Sequence, residues 1–318
     1  MNIVDNLIEN IIKTKNPSVI GLDPDVRKIP QCYKANIARP EKLDGICEVI
    51  YKFNCDIIDT VYDIVPAVKP QIAFYEKYGS CGFMAFEKTV SYAKSKGLIV
   101  IEDAKRNDIG NTAEAYANGH LGKVELLDGS VISAIDADFL TVSPYLGVDS
   151  IVPFIDACRN NNKGIFVLVK TSNALSGVIQ DVVAENGFTI SQNIARYVSE
   201  QSEQQKGKYG YSAIGAVVGA TYPVEAKTLR KIMPFSFFLV PGYGVQGADA
   251  EDILPCFKCD GLGAIVNSSR GVLFAHMTDD ERNSCTHEEY LSNVRTACLK
   301  MQSNIYSMLR KNHKEMIY

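Results

Sequence analysis

The sequence predicts an α/β protein built as a (β/α)8 TIM barrel, one domain over residues 1–318, and three observations lead there. Eight short apolar runs, rich in Val and Ile and nearly continuous in hydrophobicity, recur along the chain. Such runs suit parallel strands covered on both faces. Helix-like segments alternate with them, and no low-complexity linker divides the chain. Polar residues gather at the C-terminal ends of the runs, the rim where barrels of this kind do chemistry. A doubly wound sheet is the main rival, but no GxGxxG follows the first run.

Taken in order, the N-terminal MNIVDNLIENIIKTKN reads as an amphipathic helix carrying acids. The strands are SVIGLD (18–23), IVPAVKP (64–70), LIVIEDA (98–104), DFLTVSP (138–144), GIFVLVKTS (164–172), IGAVVGAT (214–221), FFLVPG (237–242) and GAIVNSS (263–269). Between them lie helical segments such as EKLDGICEVIYKFNCDIIDTVY, GFMAFEKTVSYAKSKG, TISQNIARYVSEQ and PVEAKTLRKIM. A last helix is expected over roughly 287–312, and both terminal helices are expected to pack on the outside of the barrel. Uneven spacing leaves room for extra helical material after strand 1, after strand 3 (KVELLDGSVISAI) and after strand 5.

Composition bounds the function. With 46% hydrophobic and 22% charged residues, the chain has the makeup of a soluble globular protein. A net charge of −4 advertises no nucleic-acid surface. The most apolar stretch, FSFFLV (235–240), is too short to span a membrane. The N-terminus lacks the basic start and small-residue cleavage site of a signal peptide, so a cytoplasmic location is expected. Of the nine cysteines, only those in PCFKC form a CxxC, with no second CxxC and no histidine pair nearby. Reduced, partly buried thiols are expected there, not zinc. The four histidines show no metal-ligand spacing.

The chemistry concentrates in IEDAKRNDIGNT (101–112). Charges at the end of a buried strand are unfavourable unless paired. Asp103 and Lys105 are two residues apart and share a face on an extended strand. Lys69 adds a second cation from the neighbouring strand, and Asp108 must reach in from the loop. An alternating Lys–Asp–Lys–Asp array keeps each ammonium charged and fixed in place. A structural ion-pair network at the barrel mouth is the competing reading. PGYGVQG (241–247) and NSSRG (267–271) then supply glycine-rich loops after strands 7 and 8, where many barrels hold a phosphate. Arg270 can fork onto phosphate oxygens and Gln246 can donate another hydrogen bond. Together these features imply a small phosphorylated substrate.

At this point the chain resembles the orotidine 5′-phosphate decarboxylases. DAKRNDIGNT matches their DxKxxDIGNT signature, and GLDPD, VKPQIAFYEKYG, VSPYLGVDS, FVLVKTSN, VVGATYP and VPGYGVQG occur in the family's order. GLDPD and KPQIAFYE are similar to the longer-chain subgroup. The resemblance implies decarboxylation of orotidine 5′-phosphate to UMP and CO2 without a metal or organic cofactor, in a homodimer with shared active sites. It implies Lys105 as proton donor to C6, with Asp103 beside the departing carboxylate and Lys69 bridging the ribose and the acidic pair. Asp108 and Thr112 would come from the partner subunit. Asp23 would bind the ribose, with Gln71 near the sugar. Ser172, or Thr171 in its place, would meet the pyrimidine amide edge, and Pro241 would lie against the base. Gln246 and Arg270 would hold the phosphate. The family usually has glycine before that arginine where this chain has Ser269, which adopts positive φ less freely. The segment NALSGVIQDVVAENG and the loop after strand 7 are the candidate lids.

Two other readings stay open at this stage. A metal-dependent sugar-phosphate decarboxylase of a related barrel family would need a carboxylate where Lys69 stands, and a lysine there repels the ion. A catalytically silent nucleotide- or phosphate-binding barrel would have no need of Lys105, Asp103 and Asp108 together.

Overall fold

The computed structural model describes residues 2–318 apart from positions 36, 38, 40, 41, 245, 246, 276, 277 and 314, and apart from the side chains of 279, 282 and 283. Among the described residues ten strands run in chain order: β1 Ser18–Leu22, β2 Ala67–Pro70, β3 Ile99–Arg106, β4 Val124–Glu125, β5 Val131–Ile132, β6 Phe139–Val142, β7 Gly164–Lys170, β8 Ser212–Val218, β9 Ser236–Val240 and β10 Ala264–Ser268. Eight of them close into a barrel in the order β1-β10-β9-β8-β7-β6-β3-β2. Neighbours are parallel, and β10 returns to β1 with Ser18 opposite Val266. The helices are α1 Ile3–Thr14, α2 Gln31–Lys34, α3 Leu43–Val61, α4 Ala73–Glu76, α5 Gly79–Ser95, α6 Gly110–His120 and α7 Val152–Asn161. They continue with α8 Gly177–Gln180, α9 Ile190–Glu203, α10 Pro223–Ile232, α11 Arg270–Leu273, α12 Asp279–Ser284 and α13 His287–Asn312. Capping boxes start α9 (Thr189 with Gln192) and α13 (Thr286 with Glu289), satisfying amides that a helix start leaves unbonded.

Alternation along each strand sorts the core into two clusters. Val19, Ala67, Ile101, Phe139, Phe166, Phe237 and Ile265 come from seven strands yet form one buried cluster, which places them inside the barrel. Their neighbours Ile20, Val68, Val100, Leu140, Val167, Phe238 and Val266 belong to the other cluster, shared with the helices. No helix among the described residues is long and apolar enough to cross a membrane.

Two expectations are corrected. Helix α1 does not join the outer ring: Ile3, Val4, Leu7, Ile8 and Ile11 are buried in the barrel-interior cluster, so α1 caps the N-terminal mouth. Its apolar stripe is wide enough to close that opening. The stretch 123–135 is not helical. It holds the antiparallel pair β4–β5, with Val124 opposite Ile132. Asp128 caps the turn through the Ser130 amide and hydroxyl, and Gly129 takes φ +80°. The C-terminal helix α13 packs against α3 and α11.

Candidate active site

The inward-facing rows turn from apolar to polar as they reach the C-terminal rim. Two residues beyond Ala67, Ile101, Phe139 and Ile265 stand Lys69, Asp103, Thr141 and Asn267. Strand parity thus sends four polar side chains to the same side as the barrel core.

Asp103 is the hub. Its Oδ2 accepts from Lys69 Nζ at 2.7 Å, and its Oδ1 accepts from Lys105 Nζ at 2.5 Å and from Thr141 Oγ1 at 3.1 Å. Burial opposes the charged form of Asp103, but Lys69 and Lys105 outweigh it and hold the carboxyl far below the usual range. Burial likewise opposes the Lys69 ammonium, and the Asp103 and Asp23 carboxylates overcome it, raising its pKa. Asp103 and Lys69 are therefore both charged at neutral pH. The expectation that Asp103 and Lys105 share a face through simple alternation is corrected. The register of β3 against β6 shifts between Glu102 and Arg106, and Lys105 has φ +49°. The lysine reaches Asp103 from a bulge, not from a regular strand.

Beside this array lies a cavity of about 210 Å³ lined by Asp23, Lys69, Gln71, Asp103, Pro241, Gly242, Tyr243, Asn267 and the turn Ser268–Gly271. Gly242, with φ +104°, brings backbone to the cavity where a side chain would be strained. Asp23 Oδ1 and Asn267 Oδ1 are buried acceptors on this wall and lack a hydrogen-bond donor among the described residues. Arg270 opens α11 at the cavity edge, exposed. Ser269 has φ −114°, so the position makes no demand for glycine. Its hydroxyl lies over Gly21, where any Cβ would come within 1.8 Å of it. A side chain at position 21 would thus force the Ser269 hydroxyl to move. A larger hollow of about 790 Å³, lined by Glu281, Glu288 and Glu289, has the wrong sign for a phosphate.

Other expected residues fall elsewhere. Thr171 and Ser172 follow β7 but do not line the cavity. The Thr171 amide and hydroxyl are both engaged by Gln180, whereas the Ser172 hydroxyl bonds nothing among the described residues. Among the described residues Asp108 bonds only the adjacent Ile109 amide, at 2.8 Å. Thr112 lines a separate apolar groove with Phe83, Tyr116 and Ile135. Gln246 lies outside the described residues. The segment after β7 is tied down: fully buried Lys170 binds Asp181 at 2.6 Å under the Tyr222 ring, and Tyr222 Oη donates to Asn173 O. In the CxxC, burial pushes the Cys256 thiol up to about 12, the reverse of what a metal-binding thiolate needs.

Thr141 and Asn267 went unnoticed in the sequence, although strand parity was the signal that exposes them. So did Glu102, which faces outward, fully buried, with its Oε1 2.8 Å from His120 Nδ1 of α6.

Comparison with known proteins agrees with this geometry. The family model described as orotidine 5′-phosphate decarboxylase / HUMPS family matches residues 19–282. An orotidine 5′-phosphate decarboxylase of Rhodopirellula baltica is 41% identical over 96% of this chain and 99% of its own. One from Caldicellulosiruptor saccharolyticus is 41% identical over 87% of this chain and 90% of its own. Among solved structures, Leishmania donovani OMP decarboxylase superposes with a TM-score of 0.70 at 26% identity, covering 98% of this chain and 99% of that one. A charged hub on the barrel rim, an arginine-edged cavity and these likenesses place the chain in the orotidine 5′-phosphate decarboxylase / HUMPS family.

Proposed function

We propose that the chain converts orotidine 5′-phosphate to UMP and CO2, with Lys105 as the proton donor, at a site completed by a second copy of the chain. What carries the reading is the Asp103 carboxylate held between two ammonium groups beside a cavity that ends in Arg270. When the C6–carboxyl bond breaks, its electron pair stays on C6 in the ring plane, where the π system cannot spread it. A fixed cation at C6 stabilises that charge, and Lys105 supplies both the charge and the proton. The N–H electron pair remains on Lys105, which regains a proton from solvent. Asp103 lies beside the departing carboxylate, and Lys69 bridges to the ribose that Asp23 and Gln71 also meet. Ser172, whose hydroxyl is uncommitted, takes the pyrimidine edge in preference to Thr171. Pro241 lies against the base. Arg270, with Gln246 and the Ser269 amide, grips the phosphate, whose remote binding energy helps the chemical step.

The dimer is supported by what the cavity lacks. Asp108 and Thr112 lie outside it, and Ile109 and Tyr116 on the same stretch of chain are exposed apolar groups. A cytoplasmic location fits an enzyme of nucleotide synthesis.

Loss of the orotidine 5′-phosphate absorbance on adding purified protein tests the activity. Mixing Lys105→Ala with Asp108→Asn tests the shared site. Each homodimer should be nearly inactive, and random reassortment should restore about a quarter of wild-type sites, since about half the dimers are mixed and each has one intact site. No recovery despite proven subunit exchange would place Asp108 in its own chain's site.

A further inference from the structure

Thr141 adds no charge to the site, yet the Asp103–Lys105 arrangement passes through its hydroxyl. The residue is 1% exposed, on the inward row of β6. Its Oγ1 accepts the Ala104 amide at 3.1 Å and the Lys105 amide at 2.9 Å, and it donates to Asp103 Oδ1 at 3.1 Å. A hydroxyl has one hydrogen and two lone pairs, so these three bonds exhaust it. Their directions are fixed as well: two amides can only donate, which leaves the hydroxyl hydrogen to the carboxylate.

The backbone that these bonds hold is unusual. Lys105 is a non-glycine residue in the left-handed region, at φ +49°, where β3 loses register with β6. Such a conformation persists only where surrounding contacts over-determine it. In a regular strand successive amides point to opposite sides, whereas here two consecutive amides converge on one oxygen. That convergence aims the Lys105 stem back toward Asp103, whose Oδ1 then receives both the ammonium and the Thr141 hydroxyl. A valine would fill the same volume without making any of these bonds, so packing alone does not call for threonine.

We propose that Thr141 is a positioning residue of the decarboxylase site, its one hydroxyl fixing both the rotation of the Asp103 carboxylate and the backbone turn from which Lys105 is aimed. The proposal rests on the role of Lys105 as proton donor. It gives β6 a part in the reaction without contact with the reacting carbon.

The test compares Thr141→Val, Thr141→Ser and Thr141→Ala by kcat, KM, UMP binding and Tm. Thr141→Val and Thr141→Ala should lower kcat by about 10- to 100-fold, the range that one hydrogen bond to a charged group spans. KM and the Kd for UMP should stay within about threefold, because the lost interaction acts on the transition state. Thr141→Ser, which keeps the hydroxyl and loses the methyl, should stay within about threefold of wild type in kcat. A purely structural threonine gives a different pattern: lower Tm in the valine and alanine variants with unchanged kcat per folded site. The serine–alanine pair differs by the hydroxyl alone, so it decides the matter even if the valine variant does not fold. Equal kcat in the serine and alanine variants overturns the proposal. Inactive wild-type protein would instead refute the decarboxylase reading, and an active Lys105→Ala the lysine's role; either removes the ground on which the proposal stands, and both are distinct from its own failure, equal kcat in the serine and alanine variants.

Discussion

Replacing Asp103 by asparagine should destabilise the protein far more than removing the lysine beside it. Asp103 holds two ammonium groups of unequal exposure: the Lys69 side chain is 5% exposed and that of Lys105 47%. Without the carboxylate, Lys69 is left as a buried charge with only Asp23 to offset it, and stranding one partner of a buried pair typically costs about 3–5 kcal/mol. Unfolding entropy of roughly 2.1 cal/mol/K per residue gives about 0.7 kcal/mol/K for this chain, so the Tm should fall by about 4–8 °C. Lys105→Ala removes a half-exposed group and should shift the Tm by about 1 °C or less. Adding Lys69→Met to Asp103→Asn removes the stranded charge and should restore most of the lost stability without restoring activity. The pH dependence has a definite sign. Asp103 has a depressed folded pKa, so its contribution is complete above the unfolded value of about 3.9 and is lost only as the pH falls through the folded one. In Asp103→Asn, unpaired Lys69 releases its proton more readily, so raising the pH should narrow the gap to wild type. Differential scanning fluorimetry and urea midpoints provide the readout. A wild-type Tm for Asp103→Asn, or no recovery in the double variant, would refute the view that Lys69 is charged and held by Asp103.

Three further outcomes follow from the assigned roles. Lys105→Ala should nearly abolish turnover while UMP binding stays within about threefold, measured by calorimetry, since its interaction belongs to the transition state. Arg270→Ala should weaken UMP binding and raise KM by about 10- to 100-fold, the worth of a charge-assisted phosphate contact, with a smaller effect on stability because the side chain is exposed. Exhaustive chelation should leave the decarboxylation rate unchanged; a loss restored by magnesium would point to the metal-dependent chemistry of related barrels instead.

How much of this was legible in the sequence depends on which interactions set each feature. The eight barrel strands were readable because burial on both faces demands near-continuous Val and Ile, and that demand is local. The β4–β5 hairpin was missed although Asp128–Gly129 is a turn signal, because its flanking residues Leu126, Val131 and Ile132 are exposed and so keep no inside–outside alternation. Lys69, Asp103 and Lys105 stood out by charge against an apolar background. Thr141 and Asn267 did not, since neutral side chains at strand ends look like ordinary turn residues until the strands are lined up by parity.

The bulge at Lys105 was hidden for a deeper reason. Positive φ usually shows itself through glycine or asparagine, whereas here a lysine is held in that conformation by contacts 36 residues away in sequence, from Thr141. A strained residue that tertiary contacts impose cannot be read from its own neighbours. The same holds for Ser269, which looked like a departure needing an explanation of its own. Its negative φ makes it an ordinary residue, and the constraint falls instead on Gly21, whose missing side chain leaves room for the serine hydroxyl. In both places the informative unit is a pair of positions far apart in sequence, so a substitution at either member bears on the other. Thr141 and Gly21 are accordingly where replacing an uncharged residue should disturb the site.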